Sequence, residues 1–186
     1  MQVAALHVAN IDQGFLSTLG IRFIALMYRA IDECADSTFF VDEVEGRVVG
    51  FVSGAAGMRP IYKRMLHYWP ELFISLFPSM LSLQRLRRIL EILNYGRAHQ
   101  ASNELPNAEL LSIAVTPECR GQHRADILYR KLAAYFCEHG ETAFKITVGK
   151  GLGPAHRFYQ RMGAVPVADT QVHKGEVSTV YVHHLQ

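Results

Sequence analysis

AELLSIAVTPECRGQHRADILYRKL, residues 108–132, and AHRFYQRMGA, residues 155–164, decide how this chain is read. In the first stretch Glu109 to Val115 is strand-like, Thr116-Pro117 closes it, and Arg120 to Ala125 is a turn. A helix then runs to about His139, with Ala125, Leu128, Leu132, Tyr135 and Phe136 on one face. Ala143 to Val148 alternates as a strand, Phe144, Ile146 and Val148 sharing a side, and the glycine-rich loop GKGLG follows it. The second stretch is a helix opened by Pro154 and closed by Gly163, with Ala155, Phe158, Tyr159 and Met162 on a common face.

The turn at Arg120–Ala125 has chemical consequences. The first N–H groups of a helix lack internal acceptors, and the helix dipole there favours negative charge. A pyrophosphate suits such a spot. Gly121 and Ala125 allow close backbone approach, while Arg120 and Arg124 add positive charge.

Working outward, Ala4 to Val8 reads as a short strand. From Gln13 to Glu33, Phe15, Leu16, Leu19, Phe23, Leu26, Met27, Ala30 and Ile31 recur at helical steps, and Asp36-Ser37 ends that helix. Phe39 to Glu45 and Val48 to Ser53 form a hairpin around Glu45-Gly46. Val165 to Ala168 and Ser178 to His183 make a closing strand pair. Between hairpin and decisive stretch, the window Arg59–Ala98 holds seven Lys/Arg and two acids, so it carries +5 while the remainder carries −3. Pro60, Pro70 and Pro78 cut this window into short helices, one with the stripe Leu83, Leu86, Ile89, Leu90 and Leu93. Arg97 to Asn107 is loop-like.

Composition narrows the field. At 186 residues and 49% apolar, one domain with a real core is expected over 1–186, with a helical insert at about 59–98. A net charge of +2 argues against nucleic-acid binding by bulk charge. Cys34, Cys119 and Cys137 are scattered, which suits a reducing, cytoplasmic setting. The opening MQVAALHVANID has no basic patch before an apolar run, so a secretion signal is not expected there, and Leu72–Gln84, the longest charge-free run, is too short at 13 residues to span a bilayer as a helix. Nine histidines include no HExxH or comparable metal pair, so no metal is expected. Gly149-x-Gly151-x-Gly153 is not the dinucleotide spacing.

The segment from Glu109 to Gly163 resembles the GNAT superfamily of acyl-CoA-dependent N-acyltransferases, in its V-x-P-x-x-R-G turn before a helix and its later A-x-x-F-Y-x-x-x-G helix. The hairpin VDEVEGRVVGFVSG is similar to that family's second and third strands. The resemblance covers most of the chain outside 59–107 and implies a mixed, mostly antiparallel sheet flanked by helices. His123 stands where the family usually has glycine, and Leu152 where many relatives carry asparagine.

Further expectations follow from the resemblance. The strands Glu109–Val115 and Ala143–Val148 are to splay, letting a pantetheine arm pair with Ile113, Ala114 and Val115. Arg120, Gly121, Gln122, His123, Arg124 and Ala125 are to hold the phosphates of acetyl-CoA, and an N–H near Ile113 or Ala114 the thioester oxygen. His123 would either crowd those phosphates or donate to them. Glu109 is the candidate base for the amine, and Tyr159 the candidate acid for the departing thiolate. Each has a plainer alternative, a surface glutamate and a core tyrosine. The acceptor is expected to be a small-molecule amine, nucleotide- or carrier-linked, and a homodimer is compatible with the sequence. Tyr62, Tyr68, Trp69, Phe73 and Phe77 with basic neighbours suit a lid or wall of the acceptor site, or a packing subdomain. The competing class is a CoA-binding module with little turnover, for which His123 and Leu152 speak.

Overall fold

The computed structural model describes residues 1–11, 19–80, 105–173 and 176–185. The chain opens with helix α1 (Gln2–Asn10), not the strand that Ala4, Leu6 and Val8 suggest. The residues that pack inward are Val3, Ala4, Leu6, His7, Val8 and Ile11, a helical spacing that the apparent alternation conceals. Helix α2 (Ile21–Asp32) starts after Gly20 at φ 91° and buries Phe23, Ile24, Met27, Ala30 and Ile31. The earlier part of the Gln13–Glu33 pattern, through Thr18, lies outside the described residues. Ser37 Oγ donates to the carbonyls of Ile31 and Cys34, fixing the exit from α2.

Strands β1 (Ser37–Val44) and β2 (Arg47–Ala56) form the expected hairpin. Glu45 and Gly46 both have positive φ, the turn that matches strand twist. Helices α3 (Arg59–His67) and α4 (Trp69–Met80) follow. Pro60 and Pro70 sit in their first turns, where a missing N–H costs little, and α4 continues past Pro78. The Leu83–Leu93 stripe lies outside the described residues. Then come β3 (Ala108–Val115), a 3-10 turn at Pro117–Cys119, α5 (Arg124–Glu138), β4 (Ala143–Gly149), α6 (Gly153–Arg161), β5 (Val165–His173) and β6 (Glu176–His184). The last two strands are longer than the sequence suggests.

The six strands form one sheet in the order β1-β2-β3-β4-β6-β5, and β3–β4 is its one parallel pair. Each face has its own core. Helices α1 and α2 cover Phe51 and Ala55 on one side, and Ile61 and Met65 of α3 join that cluster. Leu128, Tyr129, Leu132 and Phe136 of α5 cover Val52, Leu110, Phe144 and Ile146 on the other. A glycine makes this second contact close. A Cβ at Gly54 would lie 2.7 Å from Leu132 Cδ1 and 2.8 Å from Phe136 Cζ.

Candidate acyl-transfer site

The site begins where the sheet stops pairing. Strands β3 and β4 share two register positions, Glu109 with Lys145 and Leu110 with Ile146. Beyond them β3 continues to Val115 with a ladder only on its β2 side. The backbone groups of Leu111 to Val115 that face β4 therefore have no sheet partner among the described residues, and partly buried backbone groups in that state invite an added strand. The splay expected from the resemblance is present.

A bulge adjusts the same stretch. Ser53 pairs with Ser112 and Gly54 with Leu110, so Leu111 is an extra residue on β3. Alternation is thereby broken. Leu111 and Ala114 pack on the α1/α2 side, while Leu110, Ile113 and Val115 pack on the α5 side. Bulges often re-aim strands beside functional sites. Nothing in the amino-acid pattern of Glu109–Val115 announces this one.

The turn before α5 exposes donors. Among the described residues, no backbone acceptor meets the N–H groups from Gly121 to Asp126, no side chain caps α5, and Ile127 is the first to close, on the His123 carbonyl at 3.1 Å. Gly121 has φ 76° and His123 φ 57°. Glycine's usual presence at the His123 position thus has a backbone reason: the left-handed conformation costs an L-residue roughly 1–2 kcal/mol. The His123 ring is largely exposed, with Nδ1 3.0 Å from Asp126 Oδ2.

The two arginines are engaged elsewhere. Arg120 donates to the Val115 carbonyl at 3.2 Å and to Asn10 Oδ1 at 2.9 Å, tying the turn to α1. Arg124 donates to Asp42 Oδ2 at 2.8 Å and to Gln122 Oε1 at 3.1 Å. A cavity of about 270 Å³ lies there, lined by Asp42, Gln122, Arg124, Ile127, Leu128 and Lys131. None of its lining residues belongs to β3 or β4, so it is not the splay.

Asp126, which sequence reasoning misses, is the third residue of α5. Arg161, at the end of α6, grips it through two hydrogen bonds of 2.6 and 2.9 Å. Arg161 first, and His123 after it, hold the Asp126 carboxyl far below the usual carboxylate range, against the cost of burial. An acid in the first turn suits the helix dipole, but it also places an anion beside the free N–H groups. No motif announces the pair, because its members are 35 residues apart.

Glu109 sits at the root of the splay. Thr147 Oγ1 donates to its Oε1 at 3.3 Å, and Lys145 Nζ is 3.9 Å from Oε2 while donating to the Pro106 carbonyl. Burial raises its carboxyl above the ordinary value, with Lys145 and Thr147 opposing. The Tyr62 phenol of α3 is raised by burial and, secondarily, by the Glu109 charge.

Tyr159 is buried at 6% exposure, its ring near those of Tyr129, Phe158 and Tyr181. Burial pushes its phenol above the usual value, so it stays protonated. Leu152 is the N-cap residue of α6, partly buried against the α5-side core. His156, one turn before Tyr159, is not singled out by the sequence. Its Nε2 lies 3.1 Å from the Gly149 carbonyl and its Nδ1 2.8 Å from the Tyr181 hydroxyl. With Nε2–H donating and Nδ1 accepting, the ring links α6 to β4 and β6.

A second polar feature lies on the opposite face. His7 Nδ1 and the Tyr28 hydroxyl are 2.8 Å apart and buried, with the His7 ring stacked near Phe51. Burial lowers His7 to about 4, keeping the imidazole neutral. Burial raises the Tyr28 phenol, and the hydroxyls of Ser112 and Ser53 act against that rise. The three cysteines are free thiols, and no His/Cys/Asp/Glu group among the described residues is arranged for a metal. No described helix is long and apolar enough to cross a membrane.

Comparison with known proteins agrees with this geometry. Residues 9–164 match the acetyltransferase (GNAT) family model. No curated protein matches significantly. A Desulfovibrio desulfuricans protein assigned to the GNAT acetyltransferases superposes with a TM-score of 0.62 at 13% identity, over 100% of this chain and 94% of that one. An N-acetyltransferase from Staphylococcus aureus Mu50 gives 0.61 at 14%, over 100% and 93%. A Bacillus anthracis Ames protein assigned as a streptothricin acetyltransferase, solved with acetyl coenzyme A, gives 0.56 at 13%, over 86% and 68%. At these identities the structures speak for the fold, and the family match for the chemistry: the chain belongs to the GNAT family and is an acyl-CoA-dependent acetyltransferase.

Proposed function

We propose that the protein transfers an acetyl group from acetyl-CoA to the primary amine of a small-molecule acceptor by direct attack. The observation that carries this reading is the unpaired β3 edge running into the open N–H groups of Gly121–Asp126. A pantetheine amide can pair along Ile113, Ala114 and Val115, and the diphosphate can accept from the turn at Arg120–Ala125. The acetyl-CoA solved with the Bacillus anthracis protein suits this assignment of co-substrate.

The chemistry then divides among named groups. The amine nitrogen bonds to the thioester carbon, and a β3 N–H near Ile113 or Ala114 receives the oxygen as it gains charge. As the C–S bond breaks, Tyr159, held neutral by burial, donates its O–H toward the sulfur. The nitrogen's proton passes to Glu109. About 13 Å of strand separates Glu109 from Ile113, more than one water bridges, so a chain of waters carries the proton from the amine to the carboxylate. A carboxyl raised by burial is a stronger base than a solvated one, which favours this role.

The test is thiol release from acetyl-, succinyl- and longer acyl-CoA against a panel of amines. Turnover that falls in both Glu109→Gln and Tyr159→Phe supports the reading. A specific observation favours the second reading, a CoA-binding module with little turnover: both turn arginines are committed to internal partners, and Asp126 sets an anion beside the phosphate site. Binding of acetyl-CoA without thiol release for any amine would establish it.

A further inference from the structure

Tyr129 and Tyr159 are both buried, yet their hydroxyls differ. That of Tyr129 is sealed from solvent without a partner. That of Tyr159 makes no hydrogen bond among the described residues, and it is not sealed. No polar contact therefore aims the Tyr159 hydroxyl. Its direction follows from where α6 lies on the sheet and from the rings of Tyr129, Phe158 and Tyr181 around it. A nine-residue helix without a side-chain cap has little stability of its own, so tertiary contacts decide where α6 sits.

His156 supplies the polar part of that seating. The Lys150 N–H donates to the Val177 carbonyl at 3.0 Å, and Gly149 stands opposite Ser178. Such positions alternate in an antiparallel pair, so the Gly149 carbonyl turns away from β6, toward the open side of β4. There it accepts from the Leu152 N–H at 3.0 Å and from His156 Nε2–H at 3.1 Å. The other nitrogen of the ring accepts from the Tyr181 hydroxyl at 2.8 Å. Tyr181 stands opposite Ile146, which forms the last β3–β4 pair before the splay. Its ring lies 5.7 Å from that of His156 and 6.3 Å from that of Tyr159. One half-buried imidazole thus joins the end of β4, the middle of β6 and the helix that carries Tyr159. At the far end of α6, Arg161 holds Asp126, and Tyr159 lies between the two ties.

We propose that His156 is a positioning residue for the transfer step. It pins α6 to the Gly149 carbonyl and the Tyr181 hydroxyl, and so sets the Tyr159 hydroxyl at the open seam where the departing sulfur passes. This role rests on the reading of Tyr159 as the acid, and His156 acts through Tyr159 alone.

The test measures the placement and its consequence separately. Tyrosine ring carbon-13 resonances of the full chain are recorded by NMR, that of Tyr159 being the one lost in Tyr159→Phe. His156→Leu removes both hydrogen bonds, and Tyr181→Phe removes a single hydroxyl. Both should shift the Tyr159 resonance and leave that of Tyr28, on the other face of the sheet, in place. His156→Gln, whose amide can donate and accept, should shift it less. In thiol release from acetyl-CoA with the fastest amine of the panel, His156→Leu should lower kcat about tenfold with the KM for acetyl-CoA kept within about twofold. Tyr181→Phe should lower kcat about threefold. Neither should lower it further in the Tyr159→Phe background. A Tyr159 resonance unmoved in both variants overturns the inference, and so does a shift shared by Tyr28, which marks general loosening. An equal fold loss of kcat with and without the Tyr159 hydroxyl is the mark of a merely structural role and overturns it too. Full turnover in Tyr159→Phe overturns the acid reading and this role with it, whereas a loss there with additive His156 variants overturns this role alone.

Discussion

Toward β2, strand β3 is paired at seven positions with one bulge; toward β4 it is paired at Glu109 and Leu110 alone. The first seam is backed by a close helix contact, with Gly54 letting Leu132 and Phe136 of α5 sit against the sheet. The second seam is backed by side-chain links between elements, such as Asp126 with Arg161 and His156 with Gly149 and Tyr181. One edge of a single strand thus stabilises the fold while the other is left open, where the proposed pantetheine arm would pair. Main-chain bonding that is complete on one side is what makes its absence on the other specific.

Four experiments press on this contrast. The largest effect is expected at the root of the open seam. Glu109→Gln should lower kcat by about a hundredfold or more with acetyl-CoA binding kept, as steady-state kinetics and calorimetry would show. In the wild type, the raised Glu109 carboxyl must lose its proton to act as base. Activity should therefore fall on the acid side through a limb above the ordinary value of about 4.3, and that limb should be missing in the variant.

The closed side should respond in stability. His7 is held at about 4, below its unfolded value of 6.5, so the folded state resists protonation there. Stability attributable to this group is intact above pH 6.5 and is lost as pH falls toward 4, about 3 kcal/mol in all. Denaturant melts of wild type and His7→Gln across that window would reveal it. A wild-type curve no steeper than the variant's refutes the assignment. Gly54→Val, by forcing methyl groups onto Leu132 and Phe136, should cost about 2 kcal/mol and lower Tm.

The smallest effect concerns the link across the open side. Arg161→Gln leaves Asp126 with His123 as its remaining partner beside the proposed phosphate site and should raise the KM for acetyl-CoA by about fivefold with little change in kcat. Adding Asp126→Asn should restore it, and a double-mutant cycle would measure the coupling.

Much of this was legible from local pattern. The hairpin, α5, β4 and α6 follow from periodicity and from Glu45-Gly46, Pro154 and Gly163, which act within a few residues. The resemblance carried the splay, and the structure supplies its extent. Three features escaped, one through a misleading local pattern and two because they depend on distant parts of the chain. Helix α1 looked like a strand because Ala4, Leu6 and Val8 alternate by chance within a short window. The bulge at Leu111 exists only as a register between β2 and β3. Asp126–Arg161 and His156–Tyr181 join residues 35 and 25 positions apart, and no spacing rule reaches that far.

The two-pair seam between β3 and β4 also bears on the mechanics of the loaded protein. Hydrogen bonding holds each half of the sheet internally, yet hardly binds one half to the other. An acyl-CoA arm lying along Ile113–Val115 would serve as the missing rung, so substrate would be mortar as well as reactant. Amides flanking the gap should exchange with solvent sooner than those of β2 in the empty protein, and slow markedly once the coenzyme is in place.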